Sequence, residues 1–130
     1  NYPHVDVVYA NEKKETENLL KDYIRQGYEY YIIDGGSEFY RIRREFLRCD
    51  RKLILVSLSP WKRKELEYFM SVIWEEEKCL DNVTFLAQFG MKKDKKDFQK
   101  QYRIPIHTLP FMEDPLHLKE AERLFLKTLV

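Results

Sequence analysis

Short β-rich runs alternate with amphipathic helical runs along this chain, and that alternation leaves few architectures open to it. Residues 5–9 (VDVVY), 30–33 (YYII), 52–58 (KLILVSL), 83–89 (VTFLAQF) and 104–109 (IPIHTL) carry the β-branched and aromatic content of strands. Helical spacing follows each of them. Leu19, Leu20, Tyr23 and Ile24 form a stripe within residues 15–26, which Gly27 closes. Phe39, Ile42, Phe46 and Leu47 do the same over 38–48, with Ser37 placed to cap. Ser59 and Pro60 suit an N-cap and first helical position, opening a helix to about residue 78 with Leu66, Phe69, Met70, Ile73 and Trp74 inward. A polar helix over 92–102 and a closing helix over 116–129 complete the pattern. Five strands alternating with five helices need crossover connections. The expected fold is therefore α/β, a three-layer sandwich with a mostly parallel sheet of about five strands.

At 130 residues and 44% hydrophobic, the chain has the mass for one core, so a single domain over 1–130 is expected. Lys and Arg number 23 against 22 Asp and Glu, a net charge of +1 that gives no global field for nucleic acid or an acidic membrane. Charged partners must be met locally. Cys49 and Cys79 lie far apart without CxxC spacing, which argues against a disulfide scaffold or zinc site and reads as reduced, cytoplasmic thiols. No apolar run approaches the roughly 18 residues of a membrane span, and no signal peptide is evident. The chain opens on Asn1 rather than methionine, as a piece of a longer protein does.

The stretch YEYYIIDGGSEF, residues 28–39, is the first candidate site. A parallel strand over 30–33 would deliver Asp34 to the crevice at its carboxyl end, where open α/β sheets bind ligands. Gly35 and Gly36 suit either close backbone approach to a ligand or a tight turn needing positive φ. Without a ligand, an acid at a strand end simply caps its own turn.

Taken in order, residues 28–34 (YEYYIID), 49–56 (CDRKLILV) with Ser59-Pro60, 84–88 (TFLAQ) and 104–110 (IPIHTLP) resemble the later two-thirds of the MinD/ParA class. These are P-loop ATPases of the deviant Walker type, CpaE-like members among them. The resemblance covers nearly the whole chain and rests on the order and spacing of short motifs. It implies a P-loop NTPase/Rossmann-like fold, and it matches Asp34 to the Walker B aspartate that holds Mg²⁺ through water. Gly35 and Gly36 would then border the nucleotide. Gln88 would stand where the family often carries an adenine-reading asparagine, with a longer arm.

The departures are as informative. A P-loop needs a glycine-rich run ending in Lys-Ser/Thr, yet the chain's four glycines, Gly27, Gly35, Gly36 and Gly90, form no such run. No cofactor is thus expected on this chain alone, while ATP and Mg²⁺ belong to it only if a P-loop lies upstream. In the family the strand leading into the P-loop sits between the second and third strands named above. Its absence predicts that residues 30–33 pair directly with residues 53–56 to close the gap.

His4, His107 and His117 lack ligand spacing, and no G-x-S-x-G elbow is present. Glu75 to Glu77 and the run at 92–96 read as solvated helix surface. Arg41, Arg44 and Arg48 share a helix face, but Glu38 and Glu45 are interspersed, so nucleic acid is not the expected partner. The leading expectation is a non-catalytic, nucleotide-binding-type regulatory or interaction domain of a MinD/ParA-like protein, working through a protein partner or self-association. The alternatives are the C-terminal part of an active ATPase whose P-loop lies upstream and, last, a receiver-like signalling domain. A receiver wants an acidic pair after the first strand and a lysine after the last. The chain has Tyr9-Ala10 and Leu109-Pro110 there.

Overall fold

A computed structural model describes residues 13–75, 80–114 and 116–129. The chain divides into two compact units, one ending at Phe46 and the other running from Leu47.

In the first unit, helix α1 (Lys13–Ile24) is followed by a turn at Gly27, and helix α2 (Phe39–Arg48) begins here and runs on into the second unit. The segment between the helices is the main correction to the sequence reading. Residues 30–33 form no strand and pair with no other strand, so the expected closure against residues 53–56 does not occur among the described residues. The reason is local. The Tyr31 hydroxyl donates to the carbonyl of Tyr23 (3.1 Å), one of the carbonyls that a helix end leaves without an intrahelical partner. It also accepts from the Tyr28 amide at 3.1 Å. Tyr23, Tyr28 and Tyr31 pack their rings in sequence, with centroids 6.4 and 6.1 Å apart. Aromatic residues favour strands by packing on a pleated surface, and here that packing is made with the helix terminus instead. Ile32, left over, is 93% exposed.

The second unit is built on a three-stranded parallel sheet in the order β1 (Lys52–Val56), β2 (Val83–Ala87), β3 (Ile106–Thr108). Three of the five expected strands are therefore present, each shorter than its sequence run. The expected first strand, residues 5–9, lies outside the described residues. A 3₁₀ turn (Pro60–Lys62) and helix α3 (Arg63–Trp74) connect β1 to β2, and helix α4 (Lys92–Tyr102) connects β2 to β3. Helix α5 (Glu120–Lys127) follows. Ser59 does stand at the N-cap with Pro60 behind it, but its side chain makes no capping bond; its carbonyl accepts from the Lys62 amide at 2.9 Å.

Register explains the core. Ile54, Phe85 and Ile106 are partners across the three strands, and paired residues of a parallel ladder project to one face. All three are buried, with Phe98 of α4 against Phe85 at a ring separation of 5.8 Å and with Met70 and Ile73 of α3 among the most buried side chains. On β1, Leu53 and Leu55 project to the other face and are 43% and 55% exposed.

At the amino end of β1, Lys52 is 5% exposed and its ammonium donates to the carbonyls of Cys49 and Asp81, both at 3.0 Å. Its own amide donates to the Asn82 carbonyl, so one residue ties together the loops that lead into β1 and β2. Lys52→Met keeps the apolar stem and removes the donors, leaving two carbonyls without this partner. The expected cost is about 1–3 kcal/mol. A lower urea midpoint at unchanged slope is the result sought; an unchanged midpoint would show that water serves those carbonyls equally well.

Candidate binding groove

Parallel α/β sheets present functional side chains at the carboxyl ends of their strands. Here the ladder continues past the strands themselves. The Gln88 amide donates to Val56 O at 2.8 Å, Leu58 to Phe89 O at 3.3 Å, and Leu109 to Ala87 O at 2.9 Å. These bonds draw Ser57, Leu58 and Ser59 close to residues 88–90. Gly90, at φ +114°, lies so near Leu58 that a β-carbon would sit 2.6 Å from the Leu58 β-carbon. Next, Asp94 accepts from the Met91 amide at 2.7 Å and caps α4.

What remains at this edge is a cleft of about 40 Å³ lined by Ser57, Ser59, Arg63, Asp94 and Asp97, with Phe98 behind. That holds a few ordered waters, far from the several hundred Å³ that a bound small molecule occupies. The strand order also bears on this edge. Nucleotide crevices form where successive crossovers go to opposite faces of a sheet, whereas α3 and α4 line this cleft together and so share a face.

The cleft leads into an open groove between those two helices. Glu67, Met70, Ser71 and Trp74, at i, i+3, i+4 and i+7, supply one wall with Glu75; Gln101 and Tyr102 supply the other. Trp74, expected to point inward, is 50% exposed and rims the groove, because α3 ends at that residue. Tyr102 packs on Phe98 with ring centroids 4.9 Å apart, which extends a ring series from Phe85 in the sheet out to the surface. Burial raises the Tyr102 phenol pKa above its ordinary value and the nearby Glu67 carboxylate adds to that, while the Arg63 guanidinium opposes it. Cleft and groove together carry the carboxyl groups of Glu67, Glu75, Asp94 and Asp97 against the single guanidinium of Arg63. An apolar floor under an acidic rim can accept a cationic, partly apolar ligand.

No protein-family model matches the chain, and no curated protein and no solved structure matches it either. Function has to be argued from the residues themselves.

The residues singled out from sequence lie as follows. Asp34 is exposed, and its Oδ1 accepts from the Gly36 amide at 3.0 Å, an Asx turn in which Gly36 takes φ +62°. Gly35 lies against the Ile42 side chain with no room for a β-carbon. These three belong to the first unit. Gln88 belongs to the second and is exposed just beyond β2, its backbone in the extended ladder. Among the described residues no cluster of His, Cys, Asp or Glu is arranged to hold a metal, and no helix is long and apolar enough to cross a membrane. Sequence reasoning missed the groove, although the spacing from Glu67 to Trp74 was the available signal: both ends of that face are amphipathic or charged.

Proposed function

We propose that this chain is a non-catalytic interaction or regulatory domain of α/β type, MinD/ParA-like in the order of its motifs and working by contact with another protein. The observation that carries this reading is the filled carboxyl edge of the sheet. Leu58 packed on Gly90, Ser59 buried and Asp94 committed to capping α4 leave about 40 Å³ where an α/β enzyme keeps its substrate. Asp34, in the other unit, takes part in an Asx turn with the Gly36 amide, which accounts for that acid without a ligand. The open face between α3 and α4, in contrast, is wide, solvent-accessible and partly apolar, as contact surfaces are.

Titration calorimetry with ATP and Mg²⁺ tests the reading directly. No saturable heat is expected at micromolar nucleotide. A dissociation constant of about 1 μM, equivalent to roughly 8 kcal/mol of binding free energy, would require a nucleotide pocket and would overturn the reading of a filled edge.

A further inference from the structure

We propose that the groove between α3 and α4 docks a basic amphipathic segment of a partner protein, with lysine or arginine on its charged side and aliphatic side chains on the other. This deepens the reading of the chain as an interaction domain and rests on it.

Charge complementarity selects the partner's sign. The chain as a whole is near neutral at +1, yet the joined cleft and groove present Glu67, Glu75, Asp94 and Asp97 against Arg63. Asp94 already serves the Met91 amide, which leaves Glu67, Asp97 and Glu75 to meet the partner's cations. A polyanion such as nucleic acid is repelled by the same carboxylates.

The floor selects amphipathic character. Met70 closes the base, the half-exposed Trp74 indole stands at one end and the Tyr102 ring, backed by Phe98, at the other. Apolar side chains gain by covering these rings, and a lysine or arginine passing over an indole face gains a cation–π contact. Shape suits an elongated segment. The wall from Glu67 to Glu75 follows about two turns of helix, roughly 12 Å at 1.5 Å per residue, and is open to solvent along that length. A helix laid in the groove can use the whole wall.

The test uses the full 130-residue chain and two synthetic probes, a labelled Leu/Lys amphipathic helix and its Leu/Glu counterpart, followed by fluorescence anisotropy. Saturable binding of the Leu/Lys probe that weakens with salt is expected, with none for Leu/Glu. Glu67→Gln with Glu75→Gln should weaken binding about tenfold or more, as loss of complementary charge does, and Trp74→Ala should weaken it at every salt concentration. The control is Asp81→Asn with Glu120→Gln, which removes equal charge from exposed positions that do not line the groove. It should bind as the parent does. Absence of saturable binding, equal losses in control and groove variants, or a preference for Leu/Glu each overturns the proposal. So does a dimer in sedimentation that Glu67→Gln with Glu75→Gln dissociates, since the groove would then serve a second copy. The ATP titration is independent of all these outcomes, so failure here leaves the non-catalytic reading to its own experiment.

Discussion

Phe85→Ala is expected to cost the second unit about 3–5 kcal/mol, the range for truncating a fully buried aromatic side chain. The ring is 1% exposed at the middle of the central strand, with Ile54 and Ile106 as register partners and the tilted Phe98 ring 5.8 Å away. Its removal opens a void where the sheet and α4 meet, and sheet and helix can collapse toward it only by breaking their own ladder and turns. Domains have in all about 5–15 kcal/mol of stability, so much of the margin goes with one side chain. Urea unfolding followed by circular dichroism measures the loss. A change below about 1 kcal/mol would place the hub of the core elsewhere.

Gly90→Ala should be nearly as damaging for a different reason. The backbone there sits at φ +114°, a region that costs an L-residue about 1–3 kcal/mol. The new methyl would also meet the Leu58 β-carbon at 2.6 Å with backbone atoms of Leu58 at 3.4 Å behind it. Overpacking of that kind adds about 1–3 kcal/mol. The two sources separate in a double-mutant cycle with Leu58→Gly, the substitution that removes the β-carbon the new methyl would meet. Relief of the clash makes the double variant lose less than the two single losses together; strict additivity would assign the whole effect to backbone strain.

Legibility of the sequence followed how local each determinant is. β1, β2 and β3 were readable because LIL, VTF and IHT fall within short β-rich runs beside helices, and the expected bounds of α4 coincide with those observed. Residues 30–33 have the same composition and fold otherwise, since a strand exists only where a neighbour takes up its amides and carbonyls. Tyr31 found helix carbonyls first. The role of Asp34 was equally undecidable from composition, because an Asx turn and a metal-holding strand end are written with the same Asp-Gly-Gly. The groove was hidden for another reason. It exists only through the apposition of Glu67 to Glu75 with Gln101 and Tyr102, residues from two helices separated by a strand, so the spacing from Glu67 to Trp74 gives one wall and not the site.

The sequential order β1, β2, β3 has a consequence for how this unit comes into being. β2 pairs with β1 and β3 with β2, each by a single crossover, so none of these three strands waits for a distant segment before it can join the sheet. Loop closure is paid in two modest steps rather than one long one, which keeps contact order low for a parallel sheet. A chain emerging from the ribosome can therefore form β1, α3 and β2 as a first βαβ layer while β3 is still being made, and add α4 and β3 onto a template already present. The ring series from Phe85 through Phe98 to Tyr102 would be completed in that second step, so the wall of the groove that Tyr102 supplies is among the last surfaces of the unit to acquire its shape.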